Sequence, residues 1–162
     1  MKTGAKKALV TVDVEAQLQT FIAKFEAKHQ ALIRATRKAL RKRLPTAHEL
    51  VYDNYNFFVI GYSPTERPTD SILSLAAGAN GVGLAFPYCG ARLIDDYGLL
   101  QGSGSKNRFI RIPSAEHIDR HDVGALIDQA VALCKPLAPN EKPKLIIRSV
   151  STKQRPRRKP AK

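Results

Sequence analysis

Between residues 15 and 43 the large apolar positions are Leu18, Phe21, Ile22, Phe25, Leu32, Ile33 and Leu40. At 3.6 residues per turn they form one stripe, and His29 and Thr36 fall on it as well. Helix formers fill the segment, and no Gly or Pro interrupts it before Pro45. Asp13 suits a helix N-cap, and Glu15 suits the positive end of the helix dipole. Pro45 stops the run, because the residue before a proline is disfavoured in the α region. The pattern predicts helix over residues 14–43, with Ala27 as the place where it could break.

The period then changes. His48-Glu49-Leu50-Val51-Tyr52-Asp53 and Asn56-Phe57-Phe58-Val59-Ile60-Gly61-Tyr62 are rich in aromatic and β-branched residues. With Asp53-Asn54 as turn chemistry between them, they predict a hairpin. Ser63 to Pro68 reads as a loop. Ser71 to Ala76 is a third strand, Gly78-Ala79-Asn80-Gly81 a turn and Val82 to Phe86 a fourth strand. Residues 87–105 are irregular, punctuated by Gly90, Gly98, Gly102 and Gly104, with Asp95-Asp96 as a further turn.

Arg108 to Ile112 alternates as a fifth strand. Asp119 then reads as a helix cap, with Asp122 as a loose capping-box partner. Val123, Leu126, Ile127, Ala130, Val131 and Cys134 form the stripe of that helix, which Pro136 ends. Lys144 to Arg148 is a candidate short strand. Successive strands bracketed by helices predict an α+β fold. Its core is an antiparallel sheet of five to six strands, flanked by an N-terminal helical segment and a C-terminal helix.

Composition adds the domain limits. A chain of 162 residues fits one domain, and its 43% apolar content is ordinary for a globular one. The net charge of +13 is concentrated at the ends. Lys2, Lys6 and Lys7 lie in the first seven residues, and Lys153, Arg155, Arg157, Arg158, Lys159 and Lys162 in the last twelve, which leaves +4 between them. Low hydrophobicity, high charge and prolines predict disordered basic tails at 1–11 and 151–162, around a folded domain at 12–150.

The two cysteines, Cys89 and Cys134, are too few for a disulfide framework and form no CxxC pair. Free thiols fit a reducing compartment. No apolar run approaches a membrane span. Ala8 to Val12 gives way at once to Asp13 and Glu15, unlike a secretory leader. A cytoplasmic protein with no membrane partner is expected.

The sharpest local feature is Gln101-Gly102-Ser103-Gly104-Ser105-Lys106-Asn107-Arg108. Its glycines allow backbone N–H groups to turn toward an anion, and Lys106 and Arg108 add charge. It is not a Walker A loop, since Lys106 opens a strand rather than a helix. Gly102, Ser103, Gly104, Lys106 and Arg108 are therefore candidate ligand contacts, against the plainer reading of a flexible connection.

A second candidate is the helix stripe Arg34, Arg37, Lys38 and Arg41, opposite the apolar face and able to hold nucleic-acid phosphates. Its plainer reading is a solvated outer face. Base-stacking aromatics are missing from it. Tyr52, Tyr55, Phe57 and Tyr62 cluster in the hairpin instead, and alternation can expose some of them.

Other groups promise less. His117 and His121 are four apart, but a helix cap at Asp119 would split them between elements, so no metal site is expected. Asp95 and Asp96 read as exposed turn carboxylates. Cys89 has no base placed beside it. Cys134 and His29 fall on apolar stripes and read as packing residues. No catalytic residue set and no cofactor motif is recognised.

Several segments, in order, resemble the YdhG-like family, a group of small bacterial domains of unknown function. They are His48 to Asn56 leading into Val59-Ile60-Gly61-Tyr62-Ser63-Pro64, then Gly90-Ala91-Arg92-Leu93-Ile94-Asp95, Leu99 to Gly104 and Arg108 to Ile112. The resemblance covers roughly residues 14 to 133. It implies a helix–sheet–helix α+β sandwich and brings no catalytic residues with it. Part of that family is associated with frataxin-like iron handling. Such chemistry relies on an acidic first helix, whereas the corresponding helix here carries Arg34, Arg37, Lys38, Arg41, Lys42 and Arg43.

Three functions are therefore expected to compete. The first is a non-enzymatic binding module for a small anionic ligand or a protein partner. The second is nucleic-acid association through the basic tails and helix face. The third is a frataxin-like iron chaperone.

Overall fold

A computed structural model describes residues 13–161. The expected tail at 1–11 lies outside the described residues. The first helix, α1, is described over 13–22, and α2 follows at Ala27–Arg43. The long helical pattern thus breaks just before Ala27. There Gln30 closes the corner, its side-chain amide donating to the carbonyl of Phe25 at 2.9 Å. Leu18, Phe21, Ile22, Phe25, Ile33 and Leu40 are all buried, so one stripe does serve both helices.

The sheet has six strands: β1 His48–Asp53, β2 Phe58–Ser63, β3 Leu73–Gly78, β4 Gly81–Phe86, β5 Arg108–Arg111 and β6 Leu145–Val150. Their order is β5-β4-β3-β2-β1-β6. Helix α3, His121–Leu133, precedes β6. Neighbours from β1 to β5 are antiparallel, but β6 runs parallel to β1. The fold is α+β with a mixed sheet, which corrects the purely antiparallel expectation. The reason lies in the connection. Helix α3 carries the chain back across the sheet, so β6 enters the open edge of β1 in the same direction, as a parallel pair requires.

Strand register divides the sheet into two unlike faces. Glu49, Val51 and Asp53 pair with Tyr62, Ile60 and Phe58. Leu73, Leu75, Ala77, Val82, Leu84 and Ile110 continue that inner face, which shares one buried core with all three helices. Phe58 is central, its ring 6.3 Å from Phe21 and 6.1 Å from Phe25. The outer face presents small residues instead: Ser74 and Ala76 on β3, Gly83 and Ala85 on β4.

Helix α3 starts one residue later than the sequence suggests. Asp119 ends a short 3-10 turn, and Arg120 occupies the N-cap position without a side-chain cap bond. Asp122 accepts instead from the Val123 N–H at 2.8 Å. Arg43 ties α2 to α3, donating to the Gly124 carbonyl at 3.1 Å and to Asp128 at 2.9 Å.

The C-terminal segment is the largest departure from expectation. Residues 151–161 lack regular structure but lie against the body instead of hanging free. Arg157 is 4% exposed. It bonds the Asp53 carboxylate at 2.9 Å and the Asn54 carbonyl at 2.6 Å. A carboxylate as buried as Asp53 demands a cation, and that demand overrides the disorder that composition suggests. No described helix is long and apolar enough to cross a membrane.

Candidate ligand-binding site

Arg37 stands four residues after Ile33 and three before Leu40, which turns it toward the sheet and not toward solvent. It is buried and grips Glu49 of β1 with both ends of its fork: Nε to Oε2 and Nη2 to Oε1, each at 2.9 Å. Nη1 also donates to Glu15 of α1 at 3.0 Å. The Tyr62 hydroxyl adds a third bond to Glu49 at 3.0 Å. Such bidentate, charge-assisted geometry is what a buried ion pair needs to offset its desolvation. Burial opposes charge on Arg37, but the bonds to Glu49 and Glu15 outweigh it and raise its pKa further. Burial and the neighbouring Glu49 charge push the Tyr62 phenol well above its ordinary value.

This network floors a cleft of about 610 Å3 between α2 and the β1–β6 edge of the sheet. Arg34, Lys38, Arg41, Lys42 and Lys144 surround it, over apolar walls that include Leu44, Pro45 and Pro143. Its carboxylates, Glu15 and Glu49, both answer to Arg37. Arg41 reaches Glu49 only at 3.9 Å, and Lys144 is paired with Glu66 at 2.9 Å. Arg34 is held by the side chains of Gln19 and Gln30. Lys38 and Lys42 have no ion-pair partner among the described residues, and both are exposed. The cleft therefore offers positive charge that its own acids do not neutralise.

Of the expected stripe Arg34, Arg37, Lys38 and Arg41, three side chains stay on this surface. Arg37 is removed to the structural floor, so it is not a solvated outer-face residue. Sequence reading missed Glu15, Glu49, Lys42 and Lys144. Glu49 carried a signal, since strand alternation puts it on the same face as Val51 and Asp53.

The 101–108 loop is an exposed excursion from the sheet. Gln101 and Phe109 close its neck through reciprocal backbone bonds of 2.8 and 3.0 Å. Residues 102–107 are exposed, and Gly102 adopts a positive φ of 107° that suits glycine alone. Arg108 turns its guanidinium back on the carbonyls of Gly104 and Asn107. None of the described cavities is lined by Gly102, Ser103, Gly104, Lys106 or Arg108. The base of the loop is closely packed where Gly90 passes it. A Cβ on Gly90 would sit 2.4 Å from the Arg108 backbone nitrogen.

The remaining candidates are structural. His117 lies in the 3-10 turn, bonded to Ser114 at 3.0 Å, while His121 opens α3. No group of three or more His, Cys, Asp or Glu among the described residues is placed to hold a metal. Both Asp95 carboxylate oxygens accept backbone N–H groups, from Leu99 and Leu100 at 2.9 Å. Burial pushes the Cys89 thiol up to about 11, the wrong direction for a nucleophile. Cys134 is half-buried against the core. His29 is buried, with no partner for Nδ1 among the described residues.

His48 does structural work that its sequence position did not announce. Its Nδ1 accepts the Lys144 backbone N–H at 2.9 Å, so the proton sits on Nε2, which faces Glu141 at 3.2 Å. It thereby fixes the start of β6.

No family model matches the chain, no curated protein matches it and no solved structure matches it.

Proposed function

We propose that the protein is a non-enzymatic binding module whose small anionic ligand docks in the cleft between α2 and the β1–β6 edge. One observation carries this reading. Exposed cations Lys38, Arg41 and Lys42 crowd a cleft whose two carboxylates are already taken by Arg37. The volume of about 610 Å3 suits a compact ligand. Rigid support from below favours binding, because Arg37 and Glu49 hold α2 and β1 in register before any ligand arrives.

The anionic ligand expected at Gly102, Ser103, Gly104, Lys106 and Arg108 is thus moved to a concave surface. A binding role without catalysis is supported by the raised Cys89 thiol and by His48, both of whose ring nitrogens are committed to structural bonds. The iron-chaperone reading draws no support from a helix face this basic. Nucleic-acid association through the α2 stripe loses its central member, Arg37, to the buried pair.

The test is calorimetric titration with pyrophosphate and with citrate, at low salt. The wild type is expected to bind, and Lys38→Ala/Arg41→Ala to lose about tenfold or more in affinity, since each charged contact contributes about 1.5–3 kcal/mol. Arg108→Ala should bind like the wild type. Equal binding by the cleft variant, or loss on Arg108→Ala, would overturn the assignment.

A further inference from the structure

A second cationic surface lies at the opposite end of β1. There the hairpin tip 54–57, the β3–β4 turn and the C-terminal segment come together. We propose that this surface binds a short stretch of single-stranded nucleic acid. Bases would stack on Tyr55 and Phe57, and phosphates would be held by Arg111, Arg155, Arg158 and Lys159.

Two aromatic rings stand out from the tip: Tyr55 is 50% exposed and Phe57 53%. Large exposed rings at one place call for an explanation. The C-terminal segment brings cations to them. The Arg155 N–H donates to the Tyr55 carbonyl at 2.8 Å, and its guanidinium lies 5.8 Å from the Tyr55 ring. Arg157, locked on Asp53, anchors the segment on one side of Arg158. Arg158 is held in place through the Lys24 carbonyl at 3.1 Å.

The rings and cations line a hollow of about 640 Å3 that contains no carboxylate. It shares Phe57, Gly78, Gly81 and Arg111 with a second hollow of about 480 Å3 on the outer sheet face. That one is floored by small residues such as Ala76 and Gly83, is walled by Phe109, and also lacks an acid. A planar ring can lie on such a floor, and Phe57 already rests against Gly78.

The chemistry selects the partner. A bare phosphate or polycarboxylate would make no use of the aromatic rings. A duplex keeps its base faces stacked inside and could not reach them. Unpaired bases with a charged backbone use both features at once, which is how sequence-tolerant single-strand sites work. The joined hollows together extend past a single nucleotide.

The test uses the full chain and fluorescence anisotropy with labelled oligothymidylate and oligouridylate of about a dozen nucleotides. A duplex of equal length and thymidine monophosphate serve as competitors. The single strands are expected to bind, more weakly as salt rises, and ahead of both competitors. Tyr55→Ala/Phe57→Ala should lose about tenfold or more. Arg155→Ala/Arg158→Ala should weaken binding and lower the salt slope by about 1 to 2. Lys38→Ala/Arg41→Ala, in the α2 cleft, should leave oligonucleotide binding unchanged, which separates this site from the small-anion site.

The chain has no tryptophan, so Tyr55→Trp supplies a single indole at the site. Its emission should be quenched on addition of oligonucleotide. The proposal is overturned by absent binding, by equal affinity for duplex or mononucleotide, or by an aromatic variant that binds like the wild type. An unquenched indole in the presence of bound strand overturns it as well.

Discussion

Arg157 Nη2 lies 2.9 Å from Asp53 Oδ1, and neither side chain is more than 3% exposed. Lys24 takes the other carboxylate oxygen at 2.6 Å from a more exposed position. The Asp53 carbonyl also accepts from the Ser151 N–H and the Gln154 amide. One residue at the end of β1 therefore holds the turn between α1 and α2 and the C-terminal segment together. Removing one partner of a buried pair leaves an uncompensated charge, at about 3–5 kcal/mol. Arg157→Ala should accordingly destabilise the protein by about that amount in urea unfolding, at the lower end because Lys24 remains. It should also make the bonds after Lys153 and Arg158 readily cleaved by trypsin. Unchanged stability and an intact terminus would contradict the docking of this segment.

The Arg37–Glu49 pair behaves differently when both partners go. Arg37→Leu alone strands the Glu49 carboxylate and is expected to cost about 3–5 kcal/mol. Arg37→Leu/Glu49→Leu leaves no buried charge and should recover part of that loss. The recovery stops short because the Tyr62 hydroxyl loses its acceptor, at about 1–3 kcal/mol. Chemical denaturation of the two variants side by side checks the order.

Glu15 gives the acid limb a specific contributor. Burial raises its pKa, but the hydrogen bond from Arg37 and the surrounding guanidinium charge more than offset this and leave it below the usual 4.5. A depressed carboxylate stabilises the fold fully above that usual value, and the contribution disappears as pH falls through the depressed one. Glu15 is 52% exposed, so the effect is screened to under about 1 kcal/mol. Glu15→Gln should flatten stability against pH below 4.5 by that amount and leave the slope above it unchanged. Thermal melts across the acid range would show it.

The cysteines should react in order. Cys134 is half-buried, whereas Cys89 is 3% exposed and its thiol is pushed up to about 11. Iodoacetamide at neutral pH is expected to label Cys134 first and Cys89 only on unfolding. Peptide mass mapping of partially labelled protein reads the order directly.

The helices and the first five strands were legible because each carries an uninterrupted period, 3.6 for Leu18 to Leu40 and 2 for Arg108 to Ile112. The parallel placement of β6 was not. A six-residue strand contains nothing that states its direction, which depends on where α3 delivers the chain. Arg37 was misplaced because spacing alone puts it on the border of two stripes. It belongs with Arg34, Lys38 and Arg41 by charge, and with Ile33 and Leu40 by position. The deciding signal lay in another segment, where alternation sends both Glu49 and Asp53 to the inner face beside Val51. Two carboxylates facing a core require two cations, and Arg37 and Arg157 answer them. The C-terminal stretch was misread for the same reason, since composition describes a segment by itself and Asp53 lies far from it in sequence. The cleft inherits this difficulty, because Lys144 joins Lys38, Arg41 and Lys42 only after β6 pairs with β1.

The most direct test of the α2 cleft as a ligand site is a proton–nitrogen NMR titration with pyrophosphate. Perturbed amides are expected to gather around Lys38, Arg41, Lys42 and Lys144, and to disappear when Lys38→Glu/Arg41→Glu reverses the charge. Perturbations confined to residues 102–108, or a spectrum that does not move, would contradict the assignment.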